Sequence, residues 1–236
     1  MKKPDLSLIL PCYNEELLLS DSVQKITATL GRTNLSYEII FVDDQSADGT
    51  AEIIREICRK NRRCRYLIHE RNLGRGKTVA DGLKMARGEA AGYIDIDLQV
   101  SPVYIAEMVS LIKTGQADVV VGQRIYRATV KSFFREILSR GYRLLAERMV
   151  ATGGIDTEAG YKFFNRRKIL PVLRQTRHPH WFWDTEIIVF AGRAGLRIRE
   201  LPVLFIRRSD KKSSVKLISD VTDYLGSLWR LRQRLD

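Results

Sequence analysis

Two carboxylates one residue apart, Asp95-Ile96-Asp97, close an apolar run and are followed by Leu98-Gln99; Gly92-Tyr93-Ile94 leads in and Ser101-Pro102 stops the run. Side chains alternate along a strand, so Asp95 and Asp97 are predicted to point the same way. Neighbouring carboxylates repel unless a positive charge sits between them. A hard divalent cation, Mg²⁺ or Mn²⁺, answers that need, because it takes oxygen ligands and is often shared with a substrate's phosphates. Gln99 adds an amide oxygen on the same face. The competing reading is a solvated loop bearing two ordinary acids.

The surrounding elements place the pair. Leu6-Ser7-Leu8-Ile9-Leu10 reads as a strand entering Pro11-Cys12-Tyr13-Asn14-Glu15-Glu16, and Tyr37–Val42 as a second strand entering Asp43-Asp44-Gln45-Ser46-Ala47-Asp48-Gly49-Thr50. A helix follows each, with Asp48 the expected N-cap of the second. Strand, polar loop and helix in repetition predict an α/β fold with a mostly parallel sheet, whose ligand edge lies at the carboxyl ends. Arg71-Asn72-Leu73-Gly74-Arg75-Gly76-Lys77-Thr78 resembles a phosphate-binding loop superficially, but Arg71 stands where that motif needs glycine. The expectation kept is a turn at the rim of a diphosphate site.

A chain of 236 residues can bury a full core. Hydrophobic content of 44% against 29% charged argues against disorder. No apolar run approaches the roughly 18 residues needed to span a bilayer. Met1-Lys2-Lys3-Pro4-Asp5 leads into a strand without a signal-peptide pattern. Cys12, Cys58 and Cys64 have neither zinc nor redox spacing, and their odd number suits a reducing cytosol. His178 and His180 flank Pro179 and share no helical face, so a metal site there is not expected; an aromatic loop near an acceptor and simple packing of a tryptophan both remain open.

The net charge is +12, which suggests nucleic acid, an anionic membrane surface or a phosphorylated substrate. Arg124, Arg127, Lys131, Arg135, Arg140 and Arg143 form one cluster, and Arg207, Arg208, Lys211, Lys212 and Lys216 another. No nucleic-acid module or interleaved aromatics accompany them, and they flank the carboxylate site, so nucleic acid is not expected. Val215–Leu235 reads as an amphipathic helix, core-packed over Leu217–Leu225 and interfacial from Trp229 onward, with Arg230, Arg232 and Arg234 near its end. A helix after Lys131, carrying Phe133, Phe134, Ile137, Leu138, Tyr142, Leu144 and Leu145, is a second candidate for membrane contact.

In order along the chain, these residues resemble the family 2 glycosyltransferases, which have the GT-A nucleotide-sugar fold, and within them the dolichol- or polyprenyl-phosphate hexosyltransferase branch. Pro11-Cys12-Tyr13-Asn14-Glu15 is similar to Pro-x-Tyr-Asn-Glu, and Val42–Thr50 to Val-Asp-Asp-x-Ser-x-Asp-x-Thr. Asn72–Gly76 is similar to Asn-x-Gly-x-Gly and Asp95–Gln99 to Asp-x-Asp-x-Gln. Gly122-Gln123-Arg124, Asp156–Lys162, Trp183-Asp184-Thr185-Glu186 and Glu200-Leu201-Pro202-Val203 continue the series, with Arg208 the basic residue after it. Cys12, Ile96 and Gln123 depart from the usual residues without removing a ligand, and 209–216 aligns poorly.

The resemblance implies a single GT-A catalytic domain over 1–214, with a nucleotide-sugar half (1–124) and an acceptor half (125–214). The amphipathic helix (215–236) follows, and no transmembrane segment is expected. It implies inverting transfer of a hexose from GDP-mannose or UDP-glucose to a polyprenyl phosphate. The enzyme would be cytoplasmic, peripheral on the cytoplasmic membrane face, and a separate membrane partner protein stays open. Pro11, Tyr13, Glu15, Asp43, Asp44, Lys77 and Asp95 would bind the donor; Asp95, Asp97 and Gln99 would hold Mg²⁺ or Mn²⁺. Asp97, Arg124 and Arg208 would be catalytic, and Arg124, Arg135, Ser139 and Lys162 would meet the acceptor. A lipid monophosphate, with a second pKa of about 6, is largely ionised at neutral pH and needs cations rather than a base. A sugar hydroxyl would need a carboxylate, and Asp184 or Glu186 could serve; their other expected role is to hold basic residues such as Lys162. A basic, non-catalytic adaptor is the remaining alternative.

Overall fold

The computed structural model describes residues 3–126, 141, 144–206 and 217–235. Arg135, Ser139 and Arg208, the basic segment at 207–216 and most of the membrane-contact helix expected after Lys131 lie outside them; of that helix, Leu144 and Leu145 are described, helical and exposed.

The described elements are β1 (Leu6–Cys12), α1 (Leu19–Gly31), β2 (Tyr37–Asp43), α2 (Thr50–Lys60), β3 (Cys64–Ile68), α3 (Arg75–Met85) and β4 (Ala90–Ile94). They continue with α4 (Ile105–Lys113), β5 (Val119–Tyr126), a helical stretch at 144–150 (α5), β6 (Tyr161–Asn165), α6 (Arg166–Leu173), α7 (Trp183–Arg193), β7 (Ile198–Phe205) and α8 (Leu217–Leu235). The strands form one sheet in the order β3-β2-β1-β4-β6-β5-β7. Only β6 runs against its neighbours β4 and β5; the described pairings among the rest are parallel. Six carboxyl ends therefore share one edge, and the strand order reverses between β1 and β4, which opens a crevice there.

Pleating distributes the apolar residues to two cores. Leu6, Leu8, Leu10, Ile39 and Phe41 pack on one face with α1, α2 and α4. Ile9, Ile40, Val42, Ala91 and Tyr93 pack on the other with α3, α6, α7 and α8. Strands buried on both faces need continuous apolar runs, which is how β1 and β2 read. Gly92 lies face to face with Phe163, whose ring a Cβ would meet at 2.2 Å.

Three local expectations are corrected. Helix α2 begins at Thr50 with Gly49 at the cap position; Asp48 still accepts from the Thr50 N–H (3.0 Å) and hydroxyl (2.5 Å) through its carboxylate. Among the described side chains of α8, which begin at Asp223, the buried ones are Ser227, Leu228 and Leu231, while Leu225, at the end of the stretch expected to pack in the core, and Trp229 are exposed. Strand β4 ends at Ile94, so a turn rather than the pleat aims Asp95 and Asp97: the Leu98 N–H bonds the Asp95 carbonyl at 3.2 Å, with Leu98 at φ 51°. Ile96 is buried between the two acids, so the in-out alternation survives past the strand.

Candidate active site

Asp95 leaves β4 at the reversal of strand order, its side chain 39% exposed. Arg75, in the first turn of α3, reaches it through Nη2 (2.6 Å) and Nε (3.2 Å). The same guanidinium binds Asp184 of α7 at 2.5 Å. Asp184 also accepts from the Lys162 ammonium (2.8 Å) and the Tyr93 hydroxyl. Arg75 lies over the rings of Trp181 (4.5 Å) and Tyr93 (5.5 Å). Crowding by protein raises the Asp95 carboxyl; Arg75 opposes that shift and Asp97 adds to it. Burial alone would also raise Asp184, but Lys162 and Arg75 overcome it and hold the group below the usual carboxylate range. Burial lowers Lys162 against the pull of Asp184.

Gly160 makes this geometry possible. The chain enters β6 across the face of Asp95, and the Gly160 carbonyl accepts from the Asp95 N–H at 3.1 Å. A Cβ at Gly160 would lie 1.8 Å from Asp95 Oδ2 and 2.8 Å from Arg75 Nη2. The preceding residues of that loop hold β5. Asp156 grips Arg124 through two bonds of 2.8 Å, and Glu158 meets it at 3.3 Å. Burial raises the Glu158 carboxyl and Asp156 adds to the shift, while Arg124 opposes it.

A divalent cation fits this charge pattern. Among the described residues, the carboxylates Asp95, Asp97, Asp156, Glu158 and Asp184 outnumber the cations Arg75, Lys162 and Arg124 that face them. No three His, Cys, Asp or Glu side chains among the described residues converge as a cage. Magnesium and manganese commonly need only one or two carboxylates plus substrate phosphate and water. Asp95 and Asp97 supply those carboxylates. The Gln99 amide nitrogen donates to Asp97 at 2.8 Å and steadies the acid, which leaves the amide oxygen as the atom expected to face the ion. Asp97 lines an open cleft of about 300 Å³ with Ser22, Lys25, Leu98 and Ile206.

The side expected to meet the donor is a pair of stitched loops. Asn14, at φ 55°, accepts from the Ala47 N–H (2.8 Å) and donates its own N–H to the Ser46 hydroxyl (2.8 Å). The Glu15 N–H donates to Thr50, and Glu16 accepts from the Gly49 N–H. Pro11 ends this wall within β1, and Tyr13 is 51% exposed upon it. Asp43 and Asp44 are corrected as direct donor ligands, because both carboxylates turn inward. Asp43 accepts from the Ser46 hydroxyl and N–H. Asp44 accepts from the Leu73 N–H, the Gly74 N–H and His69 Nδ1, each at 2.8 Å. They shape the loops. Lys77 pairs with Asp81 on its own helix, which leaves it beside the site's far wall.

The glycines of Asn72–Gly76 also serve a different neighbour from the expected diphosphate. A Cβ at Gly74 would strike His180 Nδ1 at 2.3 Å, and one at Gly76 would strike Trp183 at 2.4 Å. The loop 176–183 lies across this turn, and the Lys77 N–H donates to the Pro179 carbonyl at 2.9 Å. Trp183 is buried and Trp181 half exposed, so one tryptophan packs in the core while the other faces the site.

Three acceptor-side expectations change as well. Lys162 is fully enclosed and cannot touch an acceptor in this arrangement. Arg124 is committed to Asp156 and Glu158, so it braces β5 against the β6 loop. Asp184 and Glu186 do not present a base: both are 2% exposed. Glu186 accepts from the N–H groups of Arg177 (2.8 Å) and His178 (2.7 Å) and from Arg234 (2.5 Å). Sequence reasoning missed Arg75 as a site residue, although it sits inside the quoted Asn-x-Gly-x-Gly run; a lone arginine between glycines carries no sign that two acids far along the chain will meet it.

The family model for glycosyl transferase family 2 matches residues 7–173. Glycosyltransferase AglD of Haloferax volcanii is 30% identical across 98% of this chain, which spans only 38% of that protein's length. Dolichyl-phosphate beta-glucosyltransferases are 27% identical: that of Dictyostelium discoideum over 96% of this chain and 77% of its own, that of Saccharomyces cerevisiae over 92% and 72%. Among solved structures, glucosyl-3-phosphoglycerate synthase of Mycobacterium tuberculosis in complex with Mn²⁺, UDP-glucose and phosphoglyceric acid has a TM-score of 0.69 at 20% identity, covering 96% of this chain and 79% of its own. S. aureus TarS in complex with UDP-GlcNAc has 0.62 at 18%, covering 94% and 65%. These likenesses of fold agree with the GT-A arrangement of the sheet.

Proposed function

The chain belongs to glycosyl transferase family 2, and from that premise we propose that this glycosyltransferase moves a hexosyl group from a nucleoside diphosphate sugar onto a polyprenyl phosphate, with inversion, at a membrane surface. The observation that supports the acceptor class is the state of Asp184 and Glu186, the two acids expected as bases for an alcohol acceptor. Asp184 and Glu186 are enclosed and engaged, so neither can take a proton from an alcohol. A phosphate monoester arrives ionised and needs no base. The dolichyl-phosphate glucosyltransferases that match over most of this chain support the same acceptor, and their sugar favours UDP-glucose over GDP-mannose as donor.

In the proposed reaction a phosphate oxygen of the acceptor bonds to the anomeric carbon as that carbon's bond to the diphosphate breaks, releasing the nucleoside diphosphate. The protein's part is placement and charge. Asp95 and Asp97 would hold Mg²⁺ or Mn²⁺, which when bound offsets charge on the leaving diphosphate. Arg75 fixes Asp95, and Asp184 with Lys162 fixes Arg75, so the edge is organised before substrate binds. The stitched loops bearing Tyr13 and Glu15 form the nucleotide wall. Arg135, Ser139 and Arg208 retain the acceptor and leaving-group roles that the family resemblance implies. Exposed Leu225 and Trp229 on α8, with Arg230 beside them, suit an anionic lipid surface. Among the described residues no helix is long and apolar enough to cross a membrane.

A second reading is supported by Glu158. Its carboxyl is raised by burial and its side chain remains 31% exposed, which suits a base for a sugar hydroxyl. Labelled UDP-glucose with Mn²⁺, presented with polyprenyl phosphate or with glycan acceptors, separates the two. The proposal expects label in an organic-extractable, mild-acid-labile product, unchanged in kind by Glu158→Gln. Transfer only to a hydroxyl acceptor, abolished by Glu158→Gln, would replace it with the second reading.

A further inference from the structure

The C-terminal helix is linked to the site through a short series of contacts that begins at Arg234. Its guanidinium binds Glu186 of α7 and the Gln175 carbonyl, each at 2.5 Å, and lies 5.2 Å over Phe190. Glu186 in turn receives the N–H groups of Arg177 and His178, which start the loop lying across the Gly74–Gly76 turn. That loop is held further by Tyr224 against Phe182 (5.8 Å) and by Ser227 beside His178 Nε2 (3.4 Å). Past this anchor, Pro179 accepts from the Lys77 N–H, His180 packs on Gly74, and Trp181 covers Arg75. Arg75 is the residue that holds Asp95.

We propose that Arg234 is a positioning residue for the donor site: by neutralising and orienting Glu186 it straps the 176–183 loop onto the first turn of α3, and the strap fixes Arg75 against Asp95. The inference rests on the reading of Asp95 as the donor and cation end of the site. It assigns α8 a second task besides any lipid contact, since Arg234 and Ser227 lie on its inward side while Leu225 and Trp229 lie outside. The matched family segment stops at residue 173, short of both strap and helix. The physical reason is Glu186. Its carboxylate is 2% exposed, and a buried charge stripped of its partner cannot hold two backbone amides in the same place.

The test compares Arg234→Met, Arg234→Lys and Arg232→Met with the parent chain. Arg232 leaves the same helix and bonds the Met149 carbonyl at 3.2 Å, so its loss mimics a purely structural contact. Two measurements are taken: UDP affinity in the presence of Mn²⁺ by calorimetry, which needs no acceptor, and amide hydrogen exchange without ligand. Arg234→Met is expected to weaken UDP binding about tenfold, the cost typical of losing an outer support to a ligand group. It is also expected to accelerate exchange at Lys77, on the far side of the strap, as well as at Arg177 and His178. Arg234→Lys should recover much of both, and Arg232→Met should change neither. If Arg234→Met does not fold, the pair Arg234→Met with Glu186→Leu removes both the stranded charge and the acceptor of the two amides and carries the same expectation. Affinity within twofold of the parent together with unchanged Lys77 exchange overturns the proposal, as does equal weakening by Arg232→Met. A parent chain that fails to bind UDP overturns the donor reading instead, while the Lys77 exchange still decides the strap.

Discussion

Gly160→Ala tests the architecture of the donor edge at one atom. The new methyl would lie 1.8 Å from Asp95 Oδ2 and 2.5 Å from its Cγ, against an ordinary contact of 3.4 Å or more. The nearest atoms belong to a side-chain terminus rather than to backbone, so the strain is relieved when the carboxylate swings away by about 1.5 Å, the retreat that restores a normal contact. The fold should lose only about 1–3 kcal/mol, the range for one added core methyl group. The site should lose far more. Displacement by about 1 Å of a positioned group can cost 100-fold in rate, and here the displaced group is the acid that Arg75 grips at 2.6 Å. Thermal unfolding and Mn²⁺-dependent transfer from UDP-glucose should therefore part company, with a melting point lowered by a few degrees and turnover down about 100-fold or more. Turnover within threefold of the parent would refute the claim that Asp95 must stay where Gly160 lets it lie.

Asp184→Asn strands two buried cations, Arg75 and Lys162, and should cost about 3–5 kcal/mol in urea unfolding; a loss below about 1 kcal/mol would mean the network contributes nothing beyond an ordinary surface pair. The thiols Cys58 and Cys64 are pushed up to about 12 and about 11, chiefly by burial, so at pH 8 their alkylation in the folded chain should be much slower than in urea; equal rates would contradict the assignment. Asp5 is held at about 2 by Lys113 and Ser36, against an ordinary value of 3.8. A lowered carboxyl stabilises the fold above its unfolded pKa and ceases to do so as pH falls through the folded one. Stability should thus drop between about pH 4 and pH 2 with a slope that Asp5→Asn reduces, and an unchanged slope in that variant would count against the pairing.

The parallel core was legible because β1, β2 and β4 are largely apolar runs that lead into acid-bearing loops, the pattern of strands buried on both faces; the buried exceptions, Ser7 and Glu38, satisfy each other at 2.6 Å. The acidic pair was legible because Asp95-Ile96-Asp97 carries its own spacing. What escaped was the partner of each charge. Asp43 and Asp44 read as ligands since two acids at a strand end look available, yet backbone N–H groups of Leu73 and Gly74, some 30 residues on, claim Asp44. Arg75 went unread for the complementary reason: its partners Asp95 and Asp184 lie 20 and 109 residues away. Periodicity reports which face a residue takes; only tertiary contacts report which opposite charge reaches it first. Gly74 and Gly76 show the same limit. Small residues were expected from the turn, but nothing in the sequence signals that a distant loop, 176–183, packs against them.

The bracing of the loops after β1 and β2 has a consequence for how nucleotide preference can change over generations. Asn14, Glu15 and Glu16 reach across to Ser46, Ala47, Gly49 and Thr50, so neither loop can be redrawn alone. A replacement on one side removes a hydrogen-bond partner from the other, and the damaged pair is less stable before any new base can be favoured. Such coupling makes solitary steps costly and paired ones neutral. Donor choice is then inherited as a unit, while exposed residues such as Tyr13 can drift singly without disturbing the frame beneath.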